Sequence, residues 1–168
     1  SDGSGTIQGD DSFNVEPTLN AISNFTIVED ASLLTLALTG ISPGGGQFQP
    51  VRVTASSSNT ELISDIGVSY LSPESTGSLA FAAAPDQNGA STITVTVEDG
   101  GHDKDLNTSA DNATVQRSFV LAVQAVNDIP VANDLNQGTN EDTPLEVYLP
   151  FSDVDGDSLA IQIISSDL

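Results

Sequence analysis

Apolar and polar side chains alternate along most of this chain in short runs, with turn-forming residues between them. Leu34, Leu36 and Leu38 alternate with Thr35, Ala37 and Thr39. The same period recurs at Val51, Val53 and Ala55, at Ile66, Val68 and Tyr70, at Leu79 and Phe81, at Ile93, Val95 and Val97, and at Phe119, Leu121 and Val123. A period of two puts every second side chain on one face, as in a strand with one buried side. With Ile22 to Val28 as the first run, the pattern predicts seven strands. Ser42-Pro43-Gly44-Gly45-Gly46 cannot continue a strand, and Pro85-Asp86-Gln87-Asn88-Gly89 is a turn signal, because Asn-Gly tolerates positive φ. No window carries a helical period. The expected fold is all-β: an antiparallel Greek-key β-sandwich of immunoglobulin-like size, with an up-and-down barrel as the alternative.

The pattern then begins again. Asn14-Val15-Glu16-Pro17 is answered by Asn127-Asp128-Ile129-Pro130, and Val28-Glu29-Asp30-Ala31 by Asn140-Glu141-Asp142-Thr143, at nearly equal separations. Such spacing predicts a tandem array. Residues 1–13 read as a linker or the end of a preceding unit, 14–126 as the sandwich, 127–132 as an interdomain linker and 133–168 as an incomplete second repeat. That repeat is expected to contribute strands at 145–149 and 159–164, too few to close a sandwich. With unpaired edges, residues 131–168 are expected to pack on the first domain, to pair with another chain or to be disordered, and pairing would make polymerisation by strand addition a further alternative role. The chain reads as an internal piece of a longer exported protein.

Composition narrows the partners. With 24 Asp and Glu against 3 Lys and Arg, the net charge is −21 and the isoelectric point about 4.1. No basic patch could neutralise phosphates, so nucleic acid and anionic membrane surfaces are excluded as partners and metal cations favoured. There is no cysteine, so another staple is needed, and bound metal is a common one. No apolar run is long enough for a membrane-spanning helix. Enzyme chemistry is not expected, because the sole histidine, His102, sits in a Gly/Asp loop without a nucleophile beside it. Lys104, the only lysine, lies in the wrong kind of segment for a buried covalent crosslink.

Three acidic groupings are candidate metal ligands. Asp153-Val154-Asp155-Gly156-Asp157 sets carboxylates at alternate positions of a short loop, the arrangement that converges oxygens on a hard cation such as Ca2+. The glycine comes too early for an EF-hand, and no glutamate closes the loop. A long acidic loop runs from Asp99 through Asp103 and Asp105 to Asp111-Asn112. Glu29, Asp30, Asp86, Asn127 and Asp128 are dispersed in sequence but fall at strand ends and turns, where several could meet at one pole.

Gly77-Ser78-Leu79, Val95-Thr96-Val97-Glu98-Asp99-Gly100-Gly101 and Val126-Asn127-Asp128-Ile129-Pro130, in that order, resemble the cadherin repeat and its bacterial cadherin-like relatives. Those relatives occur in very large surface adhesins and in secreted polysaccharide-acting proteins. The resemblance covers roughly residues 14 to 160. It implies calcium between successive repeats, with Glu29, Asp86, Asn127, Asp128, Asp153 and Asp155 as ligands of the following boundary and Asp99 facing the preceding one. The chain departs from the family where Ala125 and Ile129 stand in the linker, where Asp86-Gln87-Asn88 lacks a glutamate, and where Ser42-Pro43-Gly44-Gly45 replaces a paired-Asp loop. The expectation is loss of the full site at the preceding boundary and weaker binding at the following one.

The functional expectation is a calcium-stiffened module of an extracellular adhesin or stalk, whose partners are neighbouring repeats and a cell-surface protein or polysaccharide. A carbohydrate-binding module is the alternative. With no Trp, 2 Tyr and 6 Phe, the aromatics available to stack on sugar are Phe48, Tyr148 and Phe151.

Overall fold

The structure, a computed structural model, describes residues 14–45 and 48–164. The proposed leading linker, residues 1–13, lies outside the described residues, as do the last four of the second repeat. The chain divides between Gln124 and Ala125 into two compact units.

Among its described residues unit 1 carries seven strands: β1 (Phe25–Val28), β2 (Leu34–Thr39), β3 (Val51–Ser57), β4 (Ile66–Ser69), β5 (Thr76–Phe81), β6 (Gly89–Asp99) and β7 (Thr114–Gln124). They form two sheets, β1-β7-β6-β3 and β2-β5-β4. The chain passes between the sheets at β1 to β2, β2 to β3, β3 to β4 and β5 to β6. This is an immunoglobulin-like β-sandwich.

The period-two residues make the core. Leu38, Leu79 and Phe81 from one sheet face Val53, Ile93, Val95, Val97, Phe119, Leu121 and Val123 from the other, all of them buried. Leu62 and Ile63, from the β3–β4 connection, fill one end. Phe25 spans the layers, its ring stacked 5.5 Å from Phe119 and tilted 6.2 Å from Phe81. Aromatic pairs at these distances add about 0.5–1.5 kcal/mol beyond area burial.

The strands pair antiparallel with one exception: β1 runs parallel to β7, from Phe25↔Leu121 to Val28↔Gln124. The segment before β1 explains it. Residues 18–20 lie against the other sheet, bridging Thr18 to Ser42 and donating Asn20 N to Thr39 O at 3.0 Å. The chain then crosses, and Asn24 Oδ1 accepts the Val120 N–H at 2.7 Å where β1 joins β7. The predicted single run Ile22–Val28 is therefore two short pieces serving two sheets. Gly40 closes the turn after β2 at φ +70, and a Cβ there would stand 2.5 Å from Asn20 Oδ1, so only glycine suits it.

On the outer face, Arg52 and Glu98 are directly opposed across β3 and β6, and the guanidinium donates at 2.6 and 3.1 Å to Glu98 Oε2. Burial pushes the Glu98 carboxyl up, but the bonds from Arg52 and from Asn112 outweigh it and hold the group below its ordinary range. A carboxyl lowered on folding stabilises the fold above its unfolded pKa, and that contribution is lost as pH falls through the folded value. Arg52→Ala is expected to raise the Glu98 pKa in an NMR titration; an unchanged value would show that the pair does not set it.

In unit 2, β8 (Val131–Ala132) and β9 (Phe151–Ser152) form a two-stranded antiparallel ladder. Leu145–Leu149 and Leu159–Ile164 alternate as strands should, yet neither is one among the described residues. The expectation of strands there is corrected by comparison with unit 1, where β2 is paired along its whole length with β5. A strand needs a ladder to satisfy its backbone, and these segments have none in the described unit.

Candidate metal centre

The register sets two opposite ends of unit 1. At one, called here the leading pole, β3 begins beside the end of β6, Val51 opposite Asp99. At the trailing pole, β6 begins beside the end of β7, Gly89 opposite Val123.

At the trailing pole, Glu29 follows β1 directly and donates its N–H to Gln124 O at 2.9 Å, which sets it beside the last residue of β7. It is 2% exposed. Asp30 and Asp86 both adopt left-handed backbone, φ 58 and φ 53. The Asp86 N–H donates to Asp30 Oδ1 at 3.3 Å, and the two carboxylates bring oxygens within 4.8 Å of each other. Two like charges held this close disfavour each other unless a cation lies near. Of the residues singled out in sequence, Glu29 and Asp86 thus come to one pole, and Asp30, which the family pattern passes over, joins Asp86 there.

The leading pole is built differently. Asp99 is fully buried. Its Oδ1 accepts three N–H groups: Asn14 Nδ2 at 2.8 Å, Gly101 N at 3.0 Å and Ala113 N at 3.0 Å. Asn14 Nδ2 also reaches Asp111 O at 2.8 Å, and Gln49 Nε2 donates to Asn14 Oδ1 at 3.0 Å. Asp99 Oδ2 is buried with no hydrogen-bond partner among the described residues, and so is Asn112 Oδ1. A buried carboxylate oxygen without a donor is the signature a cation would satisfy, so Asp99 fits a metal through Oδ2 alone. Neither Asn14 as a partner of Asp99 nor Gln49 as the donor that holds Asn14 is legible in the sequence.

Asp103 is tied up within its own loop, accepting the Asp105 N–H at 2.9 Å and the Thr108 hydroxyl at 2.6 Å. The Thr108 hydroxyl, then the Asp105 amide, hold its carboxyl below the usual range. His102 packs its Nδ1 3.5 Å from Asp111 Oδ2.

Unit 2 has its own acidic loop. The Asp155 and Asp157 N–H groups converge on Asp153 Oδ1 at 3.0 and 3.2 Å, with Gly156 at φ +74 between them. The Asp128 N–H donates to Asp155 Oδ2 at 2.7 Å, and their carboxylates bring oxygens within 4.8 Å. Asn127 Nδ2 turns back to Asp128 O at 2.8 Å. Asp128, Asp153 and Asp155 are thereby gathered, while Asp157 contributes its backbone and keeps its side chain exposed.

Of the three aromatics singled out for sugar, Phe48 precedes β3 on the leading side of unit 1, and Tyr148 and Phe151 belong to unit 2. Phe48 is 90% exposed and lines an open groove of about 540 Å³ with Pro43, Pro50 and Pro73. Tyr148, 80% exposed, donates its hydroxyl to Glu146 at 3.0 Å, and Phe151 lies in β9.

No family model matches the chain, and no curated protein matches it. Among solved structures it is similar to the crystal structure of the titin domains Z1Z2 in complex with telethonin, at 17% identity and a TM-score of 0.37. The match covers 70% of this chain and 52% of that one, so the chain spans about half the length of that structure.

Proposed function

We propose that this chain is a calcium-stiffened, cadherin-like repeat module of an extracellular adhesin or stalk, with a structural and adhesive role. The observation that supports it most is the gathering of Glu29, Asp30 and Asp86 at the pole where β7 ends. Asp128 follows Gln124 by four residues, which is at most about 14 Å of extended chain. The linker carboxylate is therefore always within short reach of that pole, whatever path the linker takes.

Calcium takes about six to eight oxygens, more than either acidic group supplies alone. An ion drawing on Glu29, Asp30 and Asp86 together with Asp128, Asp153 and Asp155 would neutralise like charges and brace the linker. Modules of this kind bind in the range of about 10⁻⁴–10⁻³ M.

A thermal melt in calcium, in chelator and in magnesium tests the proposal. At calcium about a hundredfold above the dissociation constant, stabilisation is about 2.7 kcal/mol, which for a domain of this size is a rise on the order of 10 °C. Asp86→Ala and Asp128→Ala should each remove most of it. Identical melts in all three solutions would reject the calcium reading.

A further inference from the structure

We infer that Asn88 is a site of spontaneous modification, at which the backbone nitrogen of Gly89 attacks the Asn88 carboxamide, so that ageing adds a carboxylate to the trailing pole. Of all asparagines in the chain, Asn88 alone is followed by glycine. It is exposed, in the loop between the turn at Asp86 and the first residue of β6. Its side chain makes no hydrogen bond among the described residues, whereas Asn14, Asn20, Asn24, Asn59, Asn107 and Asn112 are all bonded.

Gly89 has φ +136, and a Cβ there would meet only Leu62 Cδ2, at 3.9 Å. Backbone angle rather than crowding therefore demands glycine, and the bare residue leaves its nitrogen open to the neighbouring carboxamide. Gly89↔Val123 is the first pair of the β6–β7 ladder. Strand ends open at far lower cost than strand centres, so the nitrogen is released without unfolding the sandwich.

The chemistry balances with water alone. Gly89 N loses its proton and bonds to Asn88 Cγ, closing a five-membered succinimide, while the amide nitrogen takes up a proton and leaves as ammonia. Water then adds to either ring carbonyl and breaks one C–N bond, giving aspartate or isoaspartate. In net terms an amide and water become a carboxylate and ammonium, with no redox step. The new charge lies two residues from Asp86, which already abuts Asp30. A further consequence rests on the calcium reading: an ion held by Asp30 and Asp86 ties down the turn and slows ring closure.

The test is to age the full chain at mildly alkaline pH, with calcium or with chelator, and follow each asparagine by peptide-mapping mass spectrometry. The Asn88 peptide should convert several-fold faster than any other, split into two isomers of equal mass, and be silent in Asn88→Gln. In chelator, an Asn88 that converts no faster than Asn107 or Asn112 overturns the modification site. Conversion that is fast in chelator and slowed by calcium supports both parts. Conversion equally fast in both solutions keeps the modification and overturns the calcium coupling.

Discussion

Phe119→Ala should lower the stability of unit 1 by about 3–5 kcal/mol. Phe119 is buried in the middle of β7 and is the ring on which Phe25 stacks. Truncation removes transfer energy and leaves a hole that rigid strands on both sides cannot collapse to fill. Since whole domains are stable by only about 5–15 kcal/mol, the variant should sit close to unfolding at ambient temperature. Denaturant titration measures it, and Phe48→Ala is the matched contrast. With its ring almost wholly in water, Phe48 should cost no more than about 0.5 kcal/mol. Equal midpoints for the two variants would show that the sandwich is not packed around Phe119.

Asp99→Ala should cost at least about 2 kcal/mol, by a different route. It removes no large apolar surface, but it takes the acceptor away from Gly101 N, Ala113 N and Asn14 Nδ2 at once. Hydrogen exchange at the Gly101 and Ala113 amides should quicken along with the loss of stability. Asp99→Asn, which keeps one carbonyl oxygen, should fall between the two. An alanine variant with native stability and still-protected amides would mean that the Asp99 network does not hold the leading pole together.

How much of this could be read from the chain depends on how far apart the deciding groups lie. Alternation is local, and it located the buried faces of β2, β3, β5, β6 and β7. The parallel placement of β1 is not local, because it depends on Asn24 meeting Val120, 96 positions away. The same holds for Asn14 on Asp99, 85 positions apart, and for Asp86 on Asp30, 56 apart. Asp99 itself stands out as the start of an acidic loop and through a family resemblance, but nothing near it in sequence announces a buried carboxylate. Leu145–Leu149 shows the opposite failure. Its alternation is as good as that of β2, but pattern alone cannot say whether a partner strand is present.

The parallel run of β1 along β7 has a mechanical consequence. Because the first and last strands of unit 1 point the same way, the chain enters at one end of the pair and leaves at the other. Tension applied through the two termini therefore pulls the strands lengthwise past each other. Every hydrogen bond from Phe25 to Val28, and the Glu29 bond beyond, would bear load together instead of opening one after another like a zip. Resistance to pulling is governed by the unfolding barrier rather than by equilibrium stability, so a short ladder of modest energy can still make a stiff tether.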